Sequence, residues 1–208
     1  MNAVDFDLYL VTDRNQTGGR DLLWVLQQAL DGGVKAVQLR EKDLSGRDLF
    51  SLAEKTSRLC QAYAAALFIN DRVDVALAVD AAGVQLSKTS LPAVTARALL
   101  GPRKIIGVST HALQEAKEAE QNGANFVLFG PVYSTASKAA YGDPQGLPAL
   151  KTIVDNVSLP VYAIGGITPE NAESTKSIGV RGVALISAIV SAKSPKEVAE
   201  KMLRQLRG

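Results

Sequence analysis

The sequence has little cysteine and no long apolar run. Cys60 is the single cysteine among 208 residues, which excludes an internal disulfide and is typical of a reducing compartment. It lies in a helix-like stretch, where we expect a small core residue rather than a reactive thiol. No apolar run approaches the ~20 residues of a membrane span, and we see no secretion signal at the N-terminus. We therefore expect a soluble cytoplasmic protein without a membrane partner.

The sequence also lacks a large excess of one sign of charge and has few aromatic residues. The formal net charge is +2, and aromatic residues make up 5% of the chain. A weak overall field without interleaved basic and aromatic side chains gives no reason to expect a nucleic-acid partner. The rest of the composition, 47% hydrophobic and 21% charged, is ordinary for a globular chain. Small-molecule substrates are therefore the expected partners.

The apolar runs that are present alternate with longer helix-like stretches. They are almost continuously apolar, which indicates parallel strands buried on both faces. Eight such units predict an α/β fold, a single TIM (β/α)8 barrel domain over residues 1–208. An open doubly wound sheet is the alternative, but no Gly-x-Gly-x-x-Gly follows the first run. The predicted strands are 8–12, 36–39, 66–69, 83–86, 105–108, 126–129, 161–164 and 182–186, and the predicted helices include 21–30, 48–64, 112–121, 170–178 and 195–206.

Two stretches between these elements are informative. Thr168-Pro169-Glu170 predicts a helix start, with Thr as the cap, Pro in the first turn and an acid at the positive end of the helix dipole. The segment 130–146 is rich in Ser, Thr, Gly and Pro. An irregular stretch of this length in a compact barrel is usually functional or mobile.

The residues after the predicted strands are rich in anion-binding groups. In a barrel of this kind the active site forms at the carboxyl ends of the strands. Arg40 and Lys42 follow the second strand, and Lys138 on the long segment can add a third positive charge. Backbone amides of Gly165-Gly166, after the seventh strand, and of Ile186-Ser187, after the eighth, predict a phosphate cradle. The alternative for the glycine pair is a simple tight turn.

Two further residues at this end invite a chemical role. Asn70-Asp71 follows the third strand and is the predicted Mg²⁺ position, because Mg²⁺ is commonly held by one or two carboxylates together with substrate phosphates. Alternatively, Asp71 caps the helix that begins near Arg72. His111, the single histidine, follows the fifth strand, where it is either a proton-transfer group or a plain exposed residue.

In this order the residues resemble the thiamin phosphate synthase and TenI family over nearly the whole chain. The resemblance rests on these segments: Tyr9-Leu10-Val11-Thr12-Asp13, Gln38-Leu39-Arg40-Glu41-Lys42, Ile69-Asn70-Asp71, Gly107-Val108-Ser109, Gly130-Pro131-Val132-Tyr133-Ser134-Thr135 with Lys138, Ala163-Ile164-Gly165-Gly166-Ile167, and Ile186-Ser187. It implies a Mg²⁺-dependent transferase of thiamin biosynthesis that joins an aminopyrimidine diphosphate to a thiazole phosphate.

The resemblance also implies roles for individual residues. Asp71 is expected to ligate Mg²⁺, Ser109 to lie near the leaving group, and the amides of Gly166 and Ser187 to bind the thiazole phosphate. Thr135 and Ser137 are expected to line the thiazole side. The residues expected to hold the pyrimidine diphosphate are Gln38, Arg40, Lys42, Asn70 and Lys138.

The sequence departs from the family pattern after the fourth strand. Synthases usually carry Gly-Gln-Asp/Glu-Asp there, and this chain has Ser87-Lys88-Thr89-Ser90. Ser90 thus replaces the second metal carboxylate, and Gln85 replaces a preceding histidine. Either Asp71 and the diphosphate suffice, with Lys88 supplying part of the metal's charge, or the diphosphate reaction is lost.

Loss of that reaction leaves other functions open. One is a TenI-type thiazole tautomerase, in which His111 matches the proposed acid–base histidine; the synthase remains favoured. A non-catalytic regulator that binds thiazole phosphate is the third hypothesis. The fourth is another phosphate-binding barrel enzyme, but we find no acid–base pair across the barrel for it. The sequence does not determine the oligomeric state, and a homodimer is one assembly that it allows.

Overall fold

Eight parallel strands close into a barrel in chain order, each hydrogen-bonded to the next and the last paired with the first. The computed structural model describes residues 4–135 and 143–208, and it confirms the predicted (β/α)8 barrel. Predicted and observed strand ends differ by at most two residues. The strands are β1 (Leu8–Val11), β2 (Ala36–Leu39), β3 (Ala66–Asn70), β4 (Gly83–Leu86), β5 (Ile105–Thr110), β6 (Phe126–Phe129), β7 (Val161–Ile164) and β8 (Gly182–Leu185).

Helices follow the strands and cover the outside of the barrel. Three of them begin after a residue whose side chain accepts a main-chain N–H of the first turn, namely Asp21, Ser45 and Ser194, which stabilises the helix start. The α-helices are α1 (Leu22–Asp31), α2 (Gly46–Ala62), α3 (Val73–Ala78), α4 (Ala93–Leu100), α5 (Leu113–Gln121), α6 (Gly146–Asn156), α7 (Ala172–Lys176), α8 (Ser187–Val190) and α9 (Pro195–Arg207), and a 3-10 helix spans Arg14–Gln16.

Aromatic side chains fill the amino-terminal part of the barrel interior. Phe6 stacks on Tyr162 with ring centroids 4.7 Å apart, and Tyr9 meets Phe68 edge-on at 5.4 Å. The Tyr162 hydroxyl donates to the carbonyl of Phe6 at 2.8 Å. Phe126 fits because its neighbour on β5 is a glycine, whose added Cβ would lie 2.3 Å from the Phe126 ring. The described aromatic side chains therefore fill the interior at this end, and the carboxyl ends of the strands are the side left for a ligand.

The predicted helix start at Thr168-Pro169-Glu170 is wrong, because α7 begins only at Ala172. The side chain of Asn171 explains the delay. Its Oδ1 accepts the N–H of Thr168 at 2.8 Å, and its Nδ2 donates to the carbonyl of Gly166 at 3.0 Å. These local bonds compete with helical ones, so the chain between β7 and α7 stays in turns.

The structure shows the surroundings of Cys60 and the lengths of the helices. Cys60 is buried, and burial raises the pKa of its thiol to about 12, which suits a core residue better than a nucleophile. Within the described residues, no helix is both long enough and apolar enough to cross a membrane.

Candidate active site

A buried carboxylate joins the loops after β1 and β2. The Glu41 side chain is 1% exposed and accepts hydrogen bonds from the Thr12 hydroxyl at 2.6 Å and from the N–H of Arg14 at 3.1 Å. The Arg14 guanidinium also pairs with Asp43 at 2.5 and 2.6 Å. Glu41 and Asp43, two of the four charged residues after β2, therefore connect this loop to the loop after β1. Sequence reasoning missed this role because the partners lie 27 to 29 residues away along the chain.

The other basic groups here remain available to an anion. Arg40 is half-buried, and its main-chain N–H donates to the Thr12 hydroxyl at 2.9 Å. Neither its guanidinium nor the ammonium of exposed Lys88 makes a hydrogen bond or ion pair with another described residue. The rim at this point, which we define as Arg40 and Lys88, is therefore cationic. Further inside the barrel, buried Gln38 donates through Nε2 to the Tyr9 hydroxyl at 3.3 Å.

Asp71 collects donors from the loops after β2, β3 and β4. Its Oδ2 accepts a hydrogen bond from Asn70 Nδ2 at 2.7 Å and lies 3.6 Å from Lys42 Nζ. Its Oδ1 accepts a hydrogen bond from the Ser87 hydroxyl at 3.1 Å and a shorter one from the Ser90 hydroxyl. The Asp71 side chain is 26% exposed. The cluster thus brings together Lys42 and Asn70, which were predicted to bind substrate, and Asp71, the predicted metal ligand. It also contains Ser87 and Ser90, for which the sequence predicted no role beyond replacing family residues.

The alternative that Asp71 caps the following helix is wrong. The N-cap of α3 is Arg72, and no side chain caps that helix. The metal role stays a prediction, but the donor set fits it poorly. Both carboxylate oxygens already accept hydrogen bonds, and across residues 4–135 and 143–208 no three His, Cys, Asp or Glu side chains converge on a metal position. A Mg²⁺ ion held by protein carboxylates alone has no ready site here.

A second buried amide lies at the carboxyl end of β4. Gln85 is 1% exposed, and its Nε2 donates to the Ser109 hydroxyl at 3.1 Å. Its Oε1 has no hydrogen-bond partner among the described residues. That oxygen lies over Gly107, where an added Cβ would come within 2.4 Å of it. An unpaired buried carbonyl carries a desolvation penalty of about 1–3 kcal/mol, so stability alone does not explain a glutamine at position 85.

His111 reaches across to the loop after β6. Its ring Nδ1 lies 2.5 Å from the carbonyl oxygen of Gly130, and its main-chain N–H donates to Glu115 Oε2 at 2.7 Å. Because a carbonyl oxygen can only accept, Nδ1 carries the proton of this bond, and Nε2 of the neutral ring is left as the acceptor. The ring is therefore oriented rather than free, although the residue is exposed.

A cavity of about 360 Å³ opens between the loops after β6, β7 and β8. Its lining includes Thr135, Gly165, Gly166, Ile186 and Ser187. The main-chain N–H groups of Gly166, Ser187 and Ala188 donate no hydrogen bond to another described residue. Unpaired N–H groups of this kind can bind a phosphate, and the phosphate cradle stays a prediction.

The loop after β6 packs so closely on this cradle that only glycine fits. Gly166 has a φ of +64°, and an added Cβ would lie 2.5 Å from the carbonyl oxygen of Ser134. Tyr133 fastens the same loop through its hydroxyl, 3.1 Å from the Thr175 hydroxyl on α7. Sequence reasoning found the glycine pair but missed Tyr133, because nothing in the sequence indicates a contact with α7.

The predicted site residues that the structure describes form separate groups. Lys42, Asn70 and Asp71 form one cluster, and the cradle residues form another. Ser109 pairs with Gln85, for which no site role was predicted, and Gln38, Arg40, Lys88 and His111 belong to none of these groups. Arg40 and Lys42 do not line the cradle cavity. Ser137 and Lys138 lie outside the described residues.

Comparison with known proteins points in one direction. A family model described as thiamine monophosphate synthase (TMP-TENI) matches residues 8–189. The chain is 51% identical to a putative thiamine-phosphate synthase of Geobacter sulfurreducens, over 99% of this chain and 97% of that one. It is 46% identical to a thiamine-phosphate synthase of Clostridium acetobutylicum, over 97% and 95% of the two chains. A solved thiamine phosphate pyrophosphorylase from Pyrococcus furiosus superposes with a TM-score of 0.90 at 36% identity, covering 99% and 97% of the two chains.

Proposed function

The chain belongs to the thiamine monophosphate synthase family, and from this premise we propose that it is a thiamine-phosphate synthase. The reaction joins the methylene carbon of an aminopyrimidine diphosphate to the ring nitrogen of a thiazole phosphate. The carbon–oxygen bond to diphosphate breaks, and thiamin phosphate and diphosphate are released. The protein is thus a transferase of thiamin biosynthesis.

The cradle between β7 and β8 is the observation that best supports the acceptor half. The N–H groups of Gly166 and Ser187 are unpaired at the wall of a cavity large enough for a small phosphorylated ring. Because these donors belong to the main chain, they are fixed before the ligand arrives and need little reorganisation on binding. We assign them to the thiazole phosphate, with Thr135 and Ser137 on the side of the ring.

The cationic groups after β2 and β4 support the donor half. We assign the diphosphate to Arg40, Lys42 and Asn70, with Lys88 and Lys138 as further cations. Gln38 would hold the pyrimidine ring, and Ser109 would lie near the leaving group. Departure of diphosphate leaves a cationic methylene that the aminopyrimidine stabilises by electron release. The protein therefore has to stabilise the departing charge and hold the thiazole nitrogen in line with the breaking bond.

Magnesium enters this proposal with the donor. Asp71 is the one carboxylate of its cluster, and its oxygens are occupied by hydrogen-bond donors. We therefore treat Mg²⁺ as part of a magnesium–diphosphate substrate, where it would neutralise phosphate charge. A cytoplasmic location, supported by the single buried thiol of Cys60, and a homodimer both remain predictions.

The decisive test is a synthesis assay. The protein is incubated with aminopyrimidine diphosphate, thiazole phosphate and Mg²⁺, and the expected products are diphosphate and thiamin phosphate in equal amounts. Lys42→Met should lower kcat/KM for the diphosphate donor by at least about tenfold, because a charge-assisted contact is worth about 1.5–3 kcal/mol. Binding of both substrates without any product would contradict the proposal and favour a regulator.

A thiazole tautomerase is the second candidate, and the orientation of His111 favours it. The bond to Gly130 fixes the ring and leaves Nε2 free to move a proton. Isomerisation of a thiazole carboxylate phosphate that is lost in His111→Ala, without any synthesis from the diphosphate donor, would establish this activity instead.

A further inference from the structure

We propose that Asp71 acts as a positioning residue for the ammonium of Lys42 and does not ligate the divalent cation that accompanies the diphosphate. The inference rests on the proposed function and deepens its donor half. It departs from the metal role that the family resemblance implies. Four donors around one carboxylate carry it.

The first carboxylate oxygen is occupied by two serine hydroxyls. The main-chain N–H of Ser87 donates to Ser90 Oγ at 2.6 Å, so the hydroxyl oxygen of Ser90 is an acceptor within the 87–90 turn. The hydroxyl proton of Ser90 is therefore available to Asp71 Oδ1, and the Ser87 hydroxyl donates to the same carboxylate oxygen. A metal ion on Oδ1 would have to displace two donors that the 87–90 turn itself holds in place.

The second carboxylate oxygen faces Asn70 and Lys42. Asn70 Nδ2 donates to Oδ2 at 2.7 Å, and Lys42 Nζ lies 3.6 Å away. Asp71 is the one acidic residue within ion-pair distance of Lys42 in the described part of the chain. The Lys42 side chain is 48% exposed, so without this partner it would sample many rotamers.

The backbone directs the carboxylate toward this cluster. Asp71 has a φ of +60°, which is uncommon outside glycine although Asp and Asn tolerate it better than other residues. Its N–H donates to the carbonyl of Gln85 at 3.0 Å. This left-handed conformation turns the side chain away from α3 and toward the loops after β2 and β4. Unusual backbone geometry held by its surroundings is typical of functional sites.

The charge balance agrees with this assignment. Asp71 is the one carboxylate of the cluster and lies beside Lys42, while Asn70, Ser87 and Ser90 are neutral, so the cluster has no surplus negative charge with which to attract Mg²⁺. Oxygen ligands with net negative charge are what hold this ion in proteins. Lys42, supported by Asp71, then supplies at a fixed position the positive charge that a resident metal would otherwise provide.

A metal-by-mutation cycle tests the proposal without any turnover. Inorganic diphosphate is titrated calorimetrically into wild type and Asp71→Asn, once with EDTA and once with excess Mg²⁺. We expect Mg²⁺ to change the dissociation constant by the same factor in both proteins. In a Lys42→Met background, Asp71→Asn should lose most of its effect, whereas in wild type the two positions should couple by about threefold or more.

A direct metal titration completes the test, with Mn²⁺ followed by paramagnetic resonance in the absence of substrate. Wild type should show no saturable binding below about millimolar Mn²⁺, Ser90→Asp should create such binding, and the uncharged control Ser90→Asn should not. The proposal is overturned if wild type binds Mn²⁺ tightly through Asp71, or if Asp71→Asn removes only the Mg²⁺-dependent part of diphosphate binding; both outcomes leave the synthase function intact. Failure to bind diphosphate under any condition would instead remove the donor site and this inference with it.

Discussion

The hydroxyl of Thr12 donates to the buried carboxylate of Glu41 at 2.6 Å, across the ends of β1 and β2. The same hydroxyl oxygen accepts the N–H of Arg40 at 2.9 Å. One fully buried threonine therefore satisfies a carboxylate and an amide at once. This link fixes the backbone from which Arg40 reaches the proposed diphosphate site.

Thr12→Val should destabilise the protein by about 2–3 kcal/mol, because it removes one donor from the buried charge of Glu41, which keeps its bonds from Arg14, and leaves the N–H of Arg40 without a partner. Valine keeps the volume, so packing should change little. The free energy of unfolding, measured with urea, checks this. Thr56→Val is the matched control, since its buried hydroxyl donates only to the carbonyl of Leu52 inside α2. Equal losses for the two variants would argue against a special role for Thr12.

Gly166→Ala should impair use of the thiazole phosphate. The added Cβ would meet Ser134 O at 2.5 Å and Tyr133 Cβ at 2.7 Å, so the loop that forms the wall of the cradle has to move. We expect the KM for the thiazole phosphate to rise about tenfold or more, since small misplacements of binding groups have large effects. Steady-state kinetics with the diphosphate donor in excess measure this change.

Gly18→Ala separates crowding from backbone strain. Gly18 has a φ of +66°, close to that of Gly166, but nothing lies within 4 Å of an added Cβ. Its alanine variant should lose about 1 kcal/mol of stability and keep its KM. A similar KM increase in both variants would show that strain, and not the wall, matters.

The barrel was predictable because its strands are buried on both faces. Runs such as Phe126–Phe129 are apolar at every position, so they stand out from the amphipathic helices between them. The place of the site followed from the same topology, since parallel strands end at one face. Gly166 was found by its position after β7 and not by any property of glycine alone.

Contacts between loops were not predictable from the sequence. Ser90 reads as a lost ligand in the sequence, yet in the structure it donates to Asp71. The helix expected at Thr168 is delayed by the side chain of Asn171. In both cases a short polar side chain chooses between local and tertiary partners, and the choice depends on where neighbouring loops lie.

Stability should depend on pH through Asp7 below the neutral range. Burial alone would raise the pKa of this carboxyl, but hydrogen bonds from Arg181 and Arg207 outweigh it and hold the pKa below 3.8. Because the folded-state pKa is the lower one, the ionised group stabilises the fold above about pH 4, and this contribution is lost as the pH falls through the folded-state value.

Urea unfolding of wild type and Asp7→Asn over a series of pH values measures this contribution. The difference between their free energies of unfolding should be constant from pH 7 to about pH 5 and should shrink below about pH 4. Asp155→Asn, which removes an exposed i,i+4 pair with Lys151, should change stability little at any pH. A difference for Asp7→Asn that grows toward acid would contradict the assignment.

The unpaired oxygen of Gln85 predicts opposite effects on stability and on binding. Gln85→Met keeps the length of the side chain and removes an amide oxygen that is buried without a partner. The bond from Nε2 to Ser109 is lost as well, but relief of the unpaired oxygen should offset it, so the free energy of unfolding should stay the same or rise by at most about 1 kcal/mol. Gln38→Met is the matched control, because this similarly buried amide also donates through Nε2 to a hydroxyl, that of Tyr9, but has no atom that is both buried and unpaired among the described residues, so its loss should be destabilising. If the Gln85 oxygen serves the aminopyrimidine, the KM for that substrate should rise in Gln85→Met although the fold is as stable as before. A clear loss of stability would mean instead that the amide is already satisfied, for example by a buried water molecule.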